Sequence, residues 1–452
     1  MKKIILGALA IFGLLNTQAQ DLPKIEFEQY KLKNGLTVLL HEDHSTPIVA
    51  VSVLYHVGSK NEDSLRTGFA HFFEHLMFEG SENIGRGEYM KLIQSNGGIL
   101  NANTSFDRTF YFEILPSNQL ELALWMEAER MAKLKVDSIG VETQRGVVKQ
   151  ELNQRIKNQP YGSVYNEIFA HAYKKHPYRW TPIGSPEYLD KAQLGEFMEF
   201  YKTFYVPNNA VLSISGDIDI EQTKKWIDKY FGSIPKGTNE IPRPNIVEPP
   251  MTKEVRDTIY DNIQLPAVIM AYHIPEQGTK DYYAIQMLNT LLSDGKSSRL
   301  HKSIVDKQEK AMVVASFPAA LEDPGLAIIF SIASGGTDPK DLEEAINQEI
   351  EKVKNEPISD EEYQKLRNQI EAEFAEQNSR QESIAENLAD YYVYFGDANL
   401  INTEINRYME VTKEDIMNAA KKYFNKNNRV VLYYLPKPKG EEKAENTQEE
   451  KK

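Results

Sequence analysis

The sequence predicts an α+β protein made of two copies of one unit of about 200 residues. Three observations carry that prediction. Phe204-Tyr205-Val206-Pro207-Asn208-Asn209-Ala210-Val211 resembles Tyr423-Phe424-Asn425-Lys426-Asn427-Asn428-Arg429-Val430, 219 positions later, and Tyr55-His56 recurs as Tyr272-His273, 217 positions later. Two matches at nearly one offset point to a duplicated unit of domain size rather than a solenoid. Residues 237–250 hold Pro242, Pro244, Pro249 and Pro250; proline stiffens a chain and removes amide donors, which suits a linker. Strand-like and helix-like stretches are interspersed within each copy, the pattern of sheets covered by helices.

In chain order, Lys2, Lys3 and the apolar run 4–15, followed by Thr17-Gln18-Ala19, read as a secretory signal over residues 1–20. The run is shorter than the ~20 residues of a membrane span. Cleavage would leave a secreted or periplasmic protein with no stable membrane insertion. The first unit covers 21–240, the linker 241–252 and the second unit 253–436. Residues 48–57 are rich in β-branched side chains and end at Gly58, as a buried strand would. Asp63 or Ser64 can cap a helix over 65–78, with Gly80 to end it. A strand over 111–115 follows the Gly97-Gly98 turn. Leu122, Leu124, Trp125 and Met131 mark a helix over 120–134, and Val148, Leu152 and Ile156 another over 141–156. In the second unit, 360–394 is a long helical stretch. Residues 437–452 are Lys, Glu, Pro, Asn and Gln-rich without large apolar side chains, and are expected to be disordered.

Composition narrows the function. The chain has 452 residues, 41% hydrophobic and 26% charged, enough for a sizeable core. A net charge of −14 disfavours nucleic acid, because phosphate binding needs a basic footprint. There is no cysteine, hence no disulfide and no lipidated cysteine to tether the chain. Any metal must be held by nitrogen and oxygen.

A metal is suggested by His71-Phe72-Phe73-Glu74-His75. On a helix, His71 and His75 lie one turn apart on one face and can grip one zinc ion. Glu74 falls beside the metal, placed to take a proton from a zinc-bound water. H-x-x-E-H is the inverted zincin pattern of hydrolases. With 9 histidines, chance produces it in roughly one such chain in a hundred. Phe69, Phe72, Phe73, Leu76 and Met77 surround the trio, so these polar groups sit on a mostly buried helix and need partners. A catalytic zinc takes three protein ligands, and Glu127, Glu129, Glu142 and Glu151 are all open as the third.

This motif, Phe78-Glu79-Gly80, the run from Gly97 through Ser105, Val147-Val148-Lys149-Gln150-Glu151, His176-Pro177-Tyr178, Gly184 and Tyr205-Val206-Pro207-Asn208 resemble the pitrilysin/insulinase peptidases. In size the chain is most like their two-domain branch, which includes the mitochondrial processing peptidase, and the resemblance spans nearly the whole mature chain. The resemblance implies two mostly antiparallel sheets covered by helices, facing each other as a clamshell. It implies a metalloendopeptidase holding one Zn2+ per chain, with Glu74 catalytic and His71, His75 and Glu151 as ligands. It implies that Asn101, Ala102, Asn103 and Thr104 lie on an edge strand that pairs with extended substrate. Similar enzymes often carry glutamate seven residues before the third ligand, where this chain has Gln144.

At the 217-residue offset, His71, Glu74 and His75 fall on Leu288, Leu291 and Leu292, so the second unit is expected to be metal-free. Self-sufficient relatives place an arginine and a tyrosine after a Ser-Arg-Leu segment. Counted from Ser298-Arg299-Leu300, those positions are Val305 and Met312, which donate no hydrogen bond. The chain is therefore expected to work with a second family chain that carries the pair. Two other readings are a non-hydrolytic assembly or scaffold subunit and a peptide-binding protein of the same fold; a poised Glu74 argues against both.

Overall fold

The computed structural model describes residues 24–438; the predicted signal segment and residues 439–452 of the predicted tail lie outside them. Six strands form the first sheet: β1 (Glu28–Lys31), β2 (Thr37–Glu42), β3 (Ile48–Tyr55), β4 (Ile99–Thr104), β5 (Thr109–Pro116) and β6 (Ala210–Gly216). Their order is β1-β2-β6-β3-β5-β4, with β2 and β6 parallel and every other pair antiparallel. Five strands form the second: β7 (Val255–Asp261), β8 (Ala267–His273), β9 (Ala311–Ala319), β10 (Leu326–Ala333) and β11 (Arg429–Pro436). Their order is β7-β11-β8-β10-β9, again with one parallel pair, β7 and β11.

Apart from the extra edge strand β1, the two topologies are the same. The repeats seen in sequence fall at one junction in each unit. Asn209 Nδ2 donates to the carbonyls of Phe204 (2.8 Å) and His56 (3.3 Å), and Asn428 Nδ2 to those of Tyr423 (2.9 Å) and His273 (2.9 Å). The recurring asparagine thus ties the start of the last strand to the end of its central neighbour.

Each sheet is apolar on both faces. In β3, Val49, Val51 and Val53 face a core built with the helices Phe69–Leu76, Leu120–Lys133, Leu194–Phe204 and Ile220–Phe231, while Leu54 faces the other way, the period-2 alternation of a strand. That second face is covered by Ile384, Leu388 and Ala389 of the helix Gln381–Phe395, which comes from the second unit. Reciprocally, Ile168, Phe169 and Ala172 of the helix Val164–Ala172 pack on Ile269, Ile328 and Leu432 of the second sheet. The two units face each other through this exchange of helices.

Several boundaries differ from the sequence reading. The stretch 360–394 is two helices, Asp360–Gln377 and Gln381–Phe395, because the chain must turn to reach the opposite sheet. The helix read over 141–156 runs Ser138–Leu152 and opens into a π turn at Asn153–Lys157. The proline-rich segment forms no strand or helix, yet it is tied down. Glu248 accepts from the backbone N–H groups of Lys174, Lys175 and His176, and Arg243 donates to the His56 carbonyl at 2.6 Å.

Candidate metal centre

The H-x-x-E-H segment lies on the helix Phe69–Leu76, which is shorter than the 65–78 expected. Asp63 does not cap it; its side chain accepts from the Leu65 N–H in a local turn instead. The chain enters through Gly68 at φ 98°, a left-handed conformation that interrupts any helix from 65. Gly184 packs so closely on Gly68 that a Cβ there would come within 2.3 Å of its backbone. The two side-chain oxygens of buried Glu62 accept the N–H groups of Gly68 (2.9 Å) and Ala70 (2.8 Å), supplying the cap from outside the helix.

One helical turn brings the His71 and His75 rings to a centroid distance of 4.9 Å at 87°. Glu151, at the end of the helix Ser138–Leu152, meets them: its Oε2 is 3.0 Å from His75 Nε2 and 3.6 Å from His71 Nε2. Its Oε1 pairs with Arg155 Nε at 3.0 Å. The neighbouring imidazoles of His71 and His75 outweigh burial and hold the Glu151 carboxyl well below the usual carboxylate range.

The donor chemistry fits zinc. Two imidazole nitrogens and one carboxylate oxygen, all within 4.8 Å of one another, form the one such cluster among the described residues. Tetrahedral zinc at ordinary bond lengths spaces its ligand atoms about 3.3 Å apart, between the two observed nitrogen–oxygen distances. The rival glutamates are engaged elsewhere. Glu127 is fully buried against Arg130, Glu129 accepts from Ser81 and Asn83, and Glu142 pairs with Arg145.

Glu74 stays outside the cluster. Its Oε2 accepts a 2.6 Å hydrogen bond from Thr104 Oγ1 at the end of β4. β4 is the edge of its sheet, paired with β5 on one side and with no other strand among the described residues. Asn101 and Asn103 are exposed, whereas Ala102 and Thr104 are half-buried. Thr104 therefore serves the carboxylate, a role that sequence reasoning missed. So did the Glu62 cap; both partners lie several residues outside any local motif.

In the second unit, Leu288, Leu291 and Leu292 are buried on the helix Lys280–Ser293. Val305 lies half-buried in a π turn at His301–Lys307, and Met312 is exposed near the start of β9.

Known proteins resemble this chain along most of its length. Residues 37–184 match "Insulinase (Peptidase family M16)", and residues 191–370 match "Peptidase M16 inactive domain". A zinc protease of Helicobacter pylori, PqqE, is 32% identical over 423 residues, covering 92% of this chain and 94% of the relative. The mitochondrial-processing peptidase subunit beta of Saccharomyces cerevisiae is 22% identical over 416 residues, covering 89% of each chain. The crystal structure of a protease from Helicobacter pylori superposes with a TM-score of 0.88 at 30% identity, over 92% of this chain and 100% of the other. Likeness that runs through both units makes this chain a member of the insulinase family of peptidases, family M16.

Proposed function

We propose that this chain is a zinc-dependent endopeptidase acting on peptides or unfolded segments outside the cytoplasm, beside a second chain of the same fold. The observation that carries the reading is the convergence of His71, His75 and Glu151 on one point, with Glu74 on the same helix and tethered to the edge strand. The three converging residues would hold one zinc ion, which when bound polarises a carbonyl and brings the pKa of a bound water near 7. Glu74 takes the proton of the attacking water and returns it to the departing amine. Thr104 keeps the Glu74 carboxylate oriented between these transfers. The free edge of β4 takes the substrate as an added strand, so Asn101, Ala102, Asn103 and Thr104 offer backbone hydrogen bonds to an extended chain. A folded protein presents no free strand to that edge, which favours peptides and unfolded segments.

The scaffold reading draws on the inactive-domain likeness, but that likeness covers residues 191–370 and so begins after His71, Glu74, His75 and Glu151. The cationic start and apolar run of residues 1–20 support export. The partner reading is supported by Val305 and Met312, which donate nothing, and by the yeast relative, named as one subunit. The test is hydrolysis of an unstructured peptide by wild type and Glu74→Gln, each alone and with a family chain that carries the arginine–tyrosine pair. The expected result is turnover by wild type, stimulated by the partner, and none by Glu74→Gln. Equal rates for both variants sink the mechanism; wild-type turnover unaffected by the second chain sinks the partnership.

A further inference from the structure

Seven residues before Glu151, and so on the same face two turns earlier, Gln144 reaches the segment just beyond the metal-bearing helix, which ends at Leu76. Its Nε2 donates to Glu79 Oε1 at 2.5 Å. Glu79 lies four residues beyond His75 and is only 7% exposed. The pairs His75–Glu151 and Glu79–Gln144 are therefore two rungs between the same two segments of chain. The other oxygen of Glu79 takes Arg86, whose guanidinium also reaches Asp137 at 2.9 and 3.1 Å. Asp137 caps the helix that carries Glu151, accepting the Gly140 N–H at 2.8 Å. Arg86 packs so closely on that first turn that a Cβ at position 140 would lie 2.9 Å from its Nη1.

We infer that Glu79, Gln144, Arg86 and Asp137 form a clasp that fixes the spacing of the helices Phe69–Leu76 and Ser138–Leu152, and through it the affinity of the site for zinc. They are positioning residues, and the inference rests on the zinc reading above. The charge balance explains the amide. Among the described residues Arg86 is the one cation bonded to Glu79, and it is shared with Asp137. A carboxylate at 144 would put a further anion against buried Glu79, where like charges at hydrogen-bond distance repel strongly. Glutamine supplies a donor without charge. Gln144 is thus matched to Glu79, and the clasp works as an amide–carboxylate pair.

The test uses the full chain, with zinc affinity measured by competition against a chromogenic chelator and the melting of the metal-free protein as a control. Gln144→Glu is expected to weaken zinc binding by about tenfold or more, the scale on which supporting contacts act at metal sites. The reciprocal variant E79Q/Q144E remakes the pair with its ends exchanged and is expected to recover most of the loss, a rescue that general destabilisation does not produce. Gln144→Leu removes the donor without adding charge and is expected to weaken binding in the same direction, which covers the case where Gln144→Glu does not fold. Zinc affinity unchanged in Gln144→Leu, or a reciprocal variant no better than Gln144→Glu, overturns the clasp alone. A wild-type protein that binds no zinc overturns the metal reading and the clasp with it.

Discussion

Thr104 stands at the end of an edge strand, where its sequence context places it among substrate contacts, yet its hydroxyl points at Glu74. A base that must accept and return a proton depends on its orientation, and misplacement by about an ångström costs about a hundredfold in rate. Thr104→Val should therefore keep zinc and lose roughly tenfold to a hundredfold in kcat, while Thr104→Ser recovers most of it. A valine variant with wild-type kcat removes Thr104 from the mechanism. The difference in legibility has a physical source. His71, Glu74 and His75 are readable because helical geometry makes short spacings meaningful. Glu151 meets them across 76 positions, so spacing alone left four glutamates open and only family resemblance chose among them. The hydroxyl of Thr104 finds its partner 30 positions away, and no local pattern encodes that.

The helix that carries the motif starts four residues later than capping residues near its expected start would suggest. Ser and Asp cap when they sit directly before the first turn, but here Gly68 breaks the path and Glu62 satisfies the buried N–H groups of Gly68 and Ala70 from six and eight residues upstream. Removing a buried acceptor strands those donors at about 1–3 kcal/mol each. Glu62→Ala should lower stability by about 3 kcal/mol and weaken zinc binding, because the register of His71 and His75 starts at this cap. Melting curves and chelator competition check both; a variant that melts and binds like wild type leaves the cap without a role. The long stretch 360–394 failed for a different reason. Periodicity reports an apolar face but not which sheet that face covers, and the break at 378–380 serves the crossing to the first sheet.

At the scale of the whole chain, the duplication was legible because Tyr-His and the Asn-Asn junction recur where each unit closes its sheet. The exchange of helices between units was not, since both inner faces are simply apolar in sequence. Beside that exchange lies a polar cluster. Lys60 Nζ is 2.9 Å from Asp107, 2.5 Å from Glu322 and 3.1 Å from Asp323, while His56 Nε2 is 3.1 Å from Glu322 and His176 Nε2 3.3 Å from Asp323. Burial alone would raise the Glu322 carboxyl, but His56 and Lys60 outweigh it and hold it at about 2. A depressed folded-state pKa contributes stability above the ordinary carboxylate value, lost as pH falls towards the folded one. The union of the units should therefore weaken between about pH 4.5 and 2, by ~3 kcal/mol at most for this group, and Glu322→Gln should flatten that part of the profile. A slope identical in both proteins removes Glu322 from the account. The metal centre is tested by the zinc bound per chain in wild type, Glu74→Gln and Glu151→Ala purified side by side. One zinc in the first two and a marked loss in the third is the predicted result. Zinc retained tightly by Glu151→Ala, or absent from wild type, would contradict it.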